Sequence, residues 1–356
     1  MNSFLTPSLA ELRPYTPGFQ PKGDRKYIKL NTNENPFPPS PRVLEAIAAG
    51  AGMLNLYSDP SLSRLKKAIA RYESVSEDCV TVSNGSDEVL AFCFHGFCPN
   101  GAVFADITYG FYGVFCDMFG VASTVVPLRD DFTLDTDAFA KTKGTLFIAN
   151  PNAPTGIYCD AERIASLAAA DRSRLVIVDE AYIDFGKKSC VEYTKKYDNL
   201  LVIQTFSKSR SLAGARIGYA IGCRALIADL EKLRNSFNPY NVNTLSLLAG
   251  EAAMDDTEYF EACLRTVIEN RAFLTQRLRE LGFKIPDSSA NFVFARVPDG
   301  FDAGAFADAL SRQDILVRHF GAERIKDCLR ISVGSKDECS ALIHACKKLI
   351  NERKSI

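Results

Sequence analysis

The sequence has few residues of the kinds that build metal sites or disulfide frameworks. No two of its eleven cysteines have C-x-x-C spacing, and the three histidines, His95, His319 and His344, lie far apart in the chain. This pattern predicts no metal site. An odd number of cysteines, about 3% of the residues, also argues against a disulfide scaffold. We therefore expect reduced thiols, most of them buried as small apolar side chains.

Long apolar runs and an excess of one charge are also lacking. No run of 18 apolar residues occurs, and the opening MNSFLTPSLAELRPY has no basic segment followed by an apolar one. These absences argue against a transmembrane helix and a secretory signal, so we expect a cytoplasmic location and no membrane partner. Lys and Arg number 42 against 43 Asp and Glu, and the net charge of −1 gives no sequence-wide reason to bind nucleic acid.

The composition that remains is that of a globular protein with a sizeable core, since 47% of the 356 residues are hydrophobic and 24% charged. This length predicts two domains. We expect an arm over 1–40 that packs with the small domain and the functional site, a large domain over 41–255, and a small C-terminal domain over 256–356. Proline-rich NTNENPFPPSP predicts an extended arm, and Ser40 before a proline predicts a helix over 41–50.

The pattern after residue 61 predicts the fold class. Helical segments alternate with short strands, and the runs TLFIAN (145–150), RLVIVDE (174–180) and LLVIQTF (200–206) are almost continuously apolar. Strands covered on both faces have this composition, so we expect an α/β fold whose three-layer α/β/α large domain has a mostly parallel central sheet. A long helical region over about 224–281 then leads to a smaller α+β domain, with one strand over 314–320.

Polar residues follow these strands, at the sheet edge where ligands bind in open α/β folds. Asp179 ends one strand, and a buried carboxylate needs a cation or several donors. Lys208 follows another strand, and a lysine in a desolvated site can act as a nucleophile. Taken alone, Asp179 could equally be a structural cap and Lys208 a surface residue.

The segment SNGSDEVL (83–90) places Gly85 directly before a helix, where free backbone N–H groups suit a phosphate. By itself this is a helix start and no more. Combined with the lysine, the carboxylate and an aromatic residue, it meets the needs of one cofactor, pyridoxal phosphate. That cofactor requires a lysine for its aldehyde, a carboxylate for its ring nitrogen, an anion site and an aromatic over its ring.

The motifs resemble those of one family along nearly the whole chain. The sequence is similar to the fold-type-I pyridoxal-phosphate-dependent aminotransferases of class II, most closely the histidinol-phosphate aminotransferase family. The segments that carry the resemblance are LRPYTPG (12–18), IKLNTNENPFPPSP (28–41), LNLYSDP (54–60), SNGSDE (83–88), TYGFYG (108–113), NPNAPTG (150–156), VDEAYIDF (178–185), TFSKSRSLAGARIGY (205–219), ANFVFAR (290–296), ILVRHFG (315–321) and LRISVG (329–334).

The resemblance implies a role for each matching residue. Lys208 would bind the cofactor aldehyde covalently and then act as the general acid and base. Asp179 would pair with the ring nitrogen, Tyr182 would bond the ring hydroxyl, and Tyr109 would stack on the ring. The implied phosphate-binding residues are Gly85, Ser86, Asp87, Ser207 and Arg216.

The resemblance also implies a substrate site and a partner subunit. Arg330 would bind the carboxylate of the amino acid or 2-oxoacid, and Arg318 would face the substrate phosphate. Tyr15 and Asn33 belong to the arm that closes over the substrate. Tyr57 would reach the cofactor of a neighbouring subunit, which implies a homodimer with active sites at the interface.

Two positions depart from the family pattern. Ala153 stands where many relatives have an asparagine that donates to the ring hydroxyl. Either Asn152 takes over this contact, which we favour, or Tyr182 makes it largely alone. Arg210 follows the lysine where relatives have other residues, and we expect a surface charge or a contributor to an anionic site.

The implied reaction is amino transfer between histidinol phosphate and 2-oxoglutarate, in histidine biosynthesis. The same fold could instead act on an aromatic amino acid or decarboxylate phosphothreonine. A non-catalytic binding protein is disfavoured because both Lys208 and Asp179 are present. A nucleotide-binding dehydrogenase is disfavoured because no G-x-G-x-x-G follows an early strand.

Overall fold

The structure, a computed structural model, describes residues 4–21, 23 and 25–354. Residues 1–3, 22 and 24 of the expected arm and 355–356 of the expected small domain lie outside it. The strands are β1 (Ile28–Lys29), β2 (Val80–Ser83), β3 (Ala102–Ala105), β4 (Ser123–Val126), β5 (Thr145–Ala149), β6 (Val176–Asp179), β7 (Leu200–Thr205), β8 (Gly218–Ile221), β9 (Phe292–Arg296), β10 (Ile315–Leu316), β11 (Arg318–His319) and β12 (Cys328–Ser332).

The α-helices of the described residues cover both faces of the larger sheet and flank the smaller ones. They are α1 (Pro7–Ala10), α2 (Pro41–Gly50), α3 (Ser63–Glu73), α4 (Ser86–Gly96), α5 (Phe111–Phe119), α6 (Thr136–Ala140), α7 (Ala161–Ala170), α8 (Val191–Thr194), α9 (Arg224–Phe237), α10 (Thr244–Asp255), α11 (Thr257–Glu280), α12 (Ala303–Ser311) and α13 (Lys336–Lys354).

A seven-stranded sheet forms the centre of the fold, in the order β2-β8-β7-β6-β5-β3-β4. The strands from β7 to β4 are parallel, and β8 runs antiparallel to both of its neighbours. Every residue of β6 and β7 is buried, as expected of strands that helices cover on both faces. The predicted α/β class with a mostly parallel sheet is confirmed.

Two smaller sheets share the run 314–320, which the sequence did not show to be divided. The run 314–320, predicted as one strand, splits at Val317 into β10 and β11. Strand β10 pairs in parallel with β1 of the N-terminal segment, whereas β11 joins the antiparallel sheet β11-β12-β9. The prediction of one strand is therefore wrong, because its two halves serve different sheets.

The helix predicted over 41–50 is confirmed as α2, and the Ser40 hydroxyl accepts a hydrogen bond from Val43 N at its start. The helical region predicted over 224–281 consists of three helices, which end at Phe237, Asp255 and Glu280.

The cysteines are all free, and seven of the eleven are buried. Among the described residues, no helix is long and apolar enough to cross a membrane.

Arg210 lies inside the protein, so the expectation that it is a surface charge or part of an anionic site is wrong. Only 7% of it is exposed. Its guanidinium lies 3.9 Å from the ring centre of Phe260 on α11 and 4.7 Å from that of Tyr72 on α3. Its Nη1 donates to the carbonyl of Ala253 on α10. The residue therefore joins three helices to the segment that follows β7.

We expect the substitution Arg210→Ala to lower the free energy of unfolding by about 2–4 kcal/mol, because it opens a cavity and leaves a buried carbonyl without its donor. Urea unfolding of the cofactor-free protein measures the loss. The matched control is Arg265→Ala, whose side chain is 67% exposed in a long ion pair and should change stability by less than about 0.5 kcal/mol. Equal stability of both variants would contradict this role.

Candidate active site

A pocket opens where three neighbouring strands end, at the last residues of β5, β6 and β7. Eight residues singled out from the sequence line it, together with five others. The lining residues are Ser86, Asp87, Tyr109, Ala149, Pro151, Ala153, Asp179, Ala181, Tyr182, Thr205, Ser207, Lys208 and Arg216. The carboxyl edge of the parallel sheet, where the sequence placed the ligand, is thus where these side chains meet.

Asp179 is the buried acid of the pocket, with 6% of the residue exposed. Its two carboxylate oxygens accept from the Tyr112 hydroxyl at 3.0 Å and from Ala181 N at 3.2 Å. Burial raises the pKa of Asp179 to about 6, and these two hydrogen bonds offset part of the rise. A buried carboxylate without an ion-pair partner among the described residues is suited to receive a cationic group.

Lys208 is half-buried in the segment that leaves β7. Its Nζ donates to the carbonyl of Thr32 at 3.4 Å and lies 5.8 Å from the ring centre of Tyr182. The Asn35 amide donates to the carbonyls of both Lys208 and Ser209. The N-terminal segment therefore holds the backbone around the lysine as well as its amine.

The residues predicted to bind phosphate converge at the start of α4. Gly85 precedes the helix with φ +81°, and a Cβ there would lie 2.5 Å from Arg216 Nη2. Arg216 donates weakly to Ser207 Oγ at 3.5 Å and to Asp87 Oδ2 at 3.4 Å. The Gly85 N–H donates to the carbonyl of Ser83 at 2.9 Å, so the N–H groups of the first helical turn, at Ser86 and Asp87, are the ones that lie beside the guanidinium and suit an anion.

Tyr109 forms one side of the pocket, and its hydroxyl donates to Asp87 Oδ1 at 2.9 Å. Burial raises the pKa of the Tyr109 hydroxyl well above its usual value. Tyr15 from the N-terminal segment stacks on Phe111, with ring centres 4.7 Å apart, and its ring centre lies 6.3 Å from that of Tyr109. The segment 4–21 thus reaches the site through this aromatic contact.

Asn33, which the sequence assigned to the substrate, is buried and contacts a pocket residue. Its Nδ2 donates to the Tyr182 hydroxyl at 3.0 Å, and its Oδ1 accepts from Ser332 Oγ. The backbone of Asn33 has φ +57°, which asparagine tolerates better than most residues.

Arg330 on β12 lies beside this pocket, half-buried between aromatic rings. Its guanidinium is 5.6 Å from the ring centres of both Phe292 and Phe320. Nη2 donates to the carbonyl of Asn31, whereas Nε has no partner among the described residues. Burial lowers the pKa of Arg330, and the positive charge of Arg318 adds to the effect.

Arg318 on β11 stands directly opposite Arg330 in the antiparallel pair. Like charges at opposed positions repel each other. Arg318 is held by the carbonyls of Thr16 and Pro17, at 3.1 and 3.3 Å. Among the described residues neither arginine forms an ion pair, and a pair of guanidiniums at opposed positions is suited to bind an anion.

Two predicted residues lie apart from the pocket. Asn152 is not one of the described residues that line the pocket. Its Nδ2 donates to Ile107 O at 2.9 Å and to Thr155 Oγ1 at 3.0 Å. Tyr57 is 83% exposed and stacks on Tyr240, with ring centres 4.5 Å apart. The departing motif therefore lines the pocket with Pro151 and Ala153, neither of which has a polar side-chain atom.

Sequence reasoning missed the residues that hold others in place. Tyr112 bonds Asp179, Asn35 holds the backbone at Lys208, and Ser332 holds Asn33. The only signal was that all three lie within motifs already noted, TYGFYG, NTNENP and LRISVG. No spacing rule connects them to partners that lie 67 to 299 residues away.

Comparison with known proteins agrees with this geometry. The family description "Aminotransferase class I and II" matches residues 25–346. The chain belongs to the class I and II aminotransferases. It is therefore an aminotransferase, and this family depends on pyridoxal phosphate.

Individual relatives match this aminotransferase over nearly their full length. Histidinol-phosphate aminotransferase 1 of Bradyrhizobium diazoefficiens is 47% identical over 354 residues, covering 98% of this chain and all of that protein. Histidinol-phosphate aminotransferase 2 of Dechloromonas aromatica is 46% identical, covering 98% and 99%. The structure of histidinol-phosphate aminotransferase from Sinorhizobium meliloti in complex with pyridoxal-5'-phosphate superposes with a TM-score of 0.88, at 27% identity and 99% coverage of both chains.

The pocket of this aminotransferase fits pyridoxal phosphate on three chemical grounds. Asp179 is a buried carboxylate that suits a protonated ring nitrogen. Lys208 is the only amine among the described residues that line the pocket, and it suits the aldehyde. The start of α4 with Arg216, which lines the same pocket as Asp179, suits the phosphate.

We expect Asp179→Asn to stabilise the cofactor-free protein, because it removes a carboxylate whose burial disfavours the charged form. The raised pKa means that the wild type loses stability as pH rises from about 3.8 to about 6. The gain in the free energy of unfolding from Asp179→Asn should therefore be larger at pH 8 than at pH 5, by about 1 kcal/mol. Denaturant unfolding at both pH values measures it, and an advantage independent of pH would contradict the assignment. The same variant should bind pyridoxal phosphate more weakly.

Proposed function

We propose that this enzyme transfers the amino group of L-histidinol phosphate to 2-oxoglutarate, giving imidazole-acetol phosphate and L-glutamate, as a step of histidine biosynthesis. The observation that carries the proposal is the facing pair Arg318 and Arg330 beside the pocket. The names of the relatives that are 46–47% identical support the same reaction.

The opposed arginines favour substrates with more than one negative charge near the reacting carbon. Histidinol phosphate has a phosphate, and 2-oxoglutarate has two carboxylates, so each could neutralise the pair. Arg318 would face the phosphate, and Arg330 would hold the carboxylate of the 2-oxoacid. An aromatic amino acid has one carboxylate and would leave one guanidinium unpaired, at a cost in binding free energy.

The pocket residues take the roles that the resemblance implies. When bound, pyridoxal phosphate supplies an aldehyde for the amino group and a ring that withdraws electrons from the carbon losing its proton. Lys208 Nζ would hold the cofactor and, as a free amine, carry the proton at the substrate carbon. Asp179 would hold the positive charge on the ring nitrogen, and Tyr109 would cover the ring.

The remaining groups bind and orient. Ser86 and Asp87 would bind the cofactor phosphate through backbone N–H groups, together with the Ser207 hydroxyl and the Arg216 guanidinium. Gly85 would contribute by leaving room for that guanidinium. With the Asn152 amide committed to other partners, the contact to the ring hydroxyl would fall to Tyr182. Tyr15 and the rest of the arm over 1–40 would close over the substrate, between the large domain (41–255) and the small domain (256–356), and exclude water.

We also propose that the enzyme is a homodimer in which Tyr57 reaches the partner's cofactor. Tyr57 is exposed and stacks on Tyr240, and its chain neighbours Met53, Leu54 and Leu56 are exposed as well. A monomer would leave these apolar side chains in water. We place the enzyme in the cytoplasm, where its eleven free cysteines would stay reduced.

A substrate panel tests the reaction. With 2-oxoglutarate as acceptor, histidinol phosphate should react far faster than phenylalanine. The variant Arg318→Gln should lose about 100-fold in kcat/KM for histidinol phosphate, because one charge-assisted contact to the phosphate is removed, and little for phenylalanine. Turnover of phenylalanine alone, or release of carbon dioxide from phosphothreonine, would refute the proposed substrate while leaving the enzyme class intact.

Hybrid dimers test the role of Tyr57. We expect Tyr57→Ala and Lys208→Ala each to be impaired alone. Co-expressed and purified through two different tags, they should form a hybrid with one intact site, made of Lys208 from one subunit and Tyr57 from the other. Restored turnover would support the shared site. A hybrid with no more activity than the parents, or a monomer in sedimentation analysis, would refute it.

A further inference from the structure

Three successive residues of the N-terminal segment, 31–33, each contact one side chain of the active site. The carbonyls of the first two accept from Arg330 at 3.0 Å and from Lys208 at 3.4 Å. The third, Asn33, uses its side chain, and its Nδ2 donates to the Tyr182 hydroxyl at 3.0 Å. Of the three residues, Asn33 is the one that donates a hydrogen bond to a pocket side chain, whereas the other two accept through their backbone carbonyls.

Every polar group of Asn33 is engaged, and the residue is only 1% exposed. Its backbone N–H donates to Ser332 Oγ at 2.8 Å, and its carbonyl accepts from Asn291 Nδ2 at 2.9 Å. Ser332 Oγ donates in turn to Asn33 Oδ1 at 3.0 Å. A residue held at all four groups has little freedom to turn toward a substrate.

These contacts decide which of the two residues, Asn33 or Tyr182, donates the hydrogen bond between them. Ser332 has one hydroxyl proton and is 2% exposed, so its proton needs a protein acceptor. Asn33 Oδ1 is that acceptor, which leaves the Asn33 NH₂ group facing Tyr182. The Tyr182 oxygen therefore accepts from Asn33, and its own proton stays available for donation into the pocket.

No other side chain of the described residues hydrogen-bonds the Tyr182 hydroxyl. The ring packs edge-on against Phe292, with centres 5.0 Å apart, and lies against an apolar cluster that contains Ala153 and Ala290. Ala153, the residue of the NPNAPTG motif in this cluster, contributes a methyl group and no donor. Asn33 is the polar contact that remains to orient the hydroxyl.

We propose that Asn33, held by Ser332, is a positioning residue that orients the Tyr182 hydroxyl as a donor toward the ring oxygen of bound pyridoxal phosphate. The inference rests on the proposed role of Tyr182 in the cofactor site. It differs from the substrate contact that the sequence suggested for Asn33. A hydroxyl that already accepts one hydrogen bond is also a stronger donor, because neighbouring bonds polarise each other.

The test uses the visible absorption of the cofactor-bound protein as a function of pH. A hydrogen-bond donor to the ring oxygen stabilises the negative charge on that oxygen. The charge then favours protonation of the Lys208 nitrogen bound to the cofactor less strongly. The donor therefore lowers the pH midpoint of the absorption change. Asn33→Gly removes the amide and keeps the φ of +57°, which glycine adopts without strain. We expect it to raise the midpoint by about one unit and to weaken cofactor binding several-fold.

The decisive comparison is between single and double variants. Tyr182→Phe should raise the midpoint further than Asn33→Gly, and the double variant should match Tyr182→Phe, because Asn33 acts through the tyrosine. Ser332→Ala should cause a smaller rise. Asn270→Ala is the control, since it removes another buried amide that donates only to the carbonyl of Gly334, and it should leave the midpoint unchanged.

The outcomes separate this inference from the proposed function. If Tyr182→Phe shifts the midpoint and Asn33→Gly does not, or if the two shifts add, the positioning role is wrong and the cofactor site stands. A change confined to the KM for histidinol phosphate would likewise assign Asn33 to the substrate. If the wild type shows no visible absorption with pyridoxal phosphate, the proposed function itself fails.

Discussion

Burial of the Asp179 carboxylate is the constraint around which the site is arranged. The residue ends β6, and its register partners on β5 and β7 are Ala149 and Ile203, so the sheet surrounds it with apolar groups. Two neutral donors do not replace the water that the carboxylate loses, which is why burial dominates its pKa. A cationic ring in the pocket would make the charge favourable, so the free enzyme would gain stability when the proposed cofactor binds.

The same principle applies to the substrate side of the site. Arg318 and Arg330 occupy opposed positions on two strands and are both half-buried, so an anion between these like charges would remove a cost in free energy. Backbone carbonyls of the N-terminal segment, those of Asn31, Thr16 and Pro17, accept hydrogen bonds from these guanidiniums and reduce the repulsion without neutralising either charge. A carboxylate in their place would have stabilised the empty protein and competed with the substrate. Charged groups without an ion-pair partner among the described residues thus lie where the proposed ligands would bind.

Much of the fold and the pocket could be predicted from local sequence. The apolar runs at 145–150, 174–180 and 200–206 identified the buried strands, and the residues after them line the pocket. Where prediction failed, a contact between distant residues decided the structure. Val317 divides one apolar run because β1 pairs with its first half. Arg210 is buried because the rings of Tyr72 and Phe260 flank its guanidinium.

By itself the sequence determined the α/β class, the order of the elements and the identity of the groups that can react, because periodicity and motifs are properties of neighbouring residues. Only the tertiary structure decided which of those groups share a site and which way they point. Asn152 and Asn33 look equally available in the sequence, yet one amide bonds Ile107 and the other bonds Tyr182. The difference arises because a buried polar group must find a partner, and folding determines which partner lies within 3 Å.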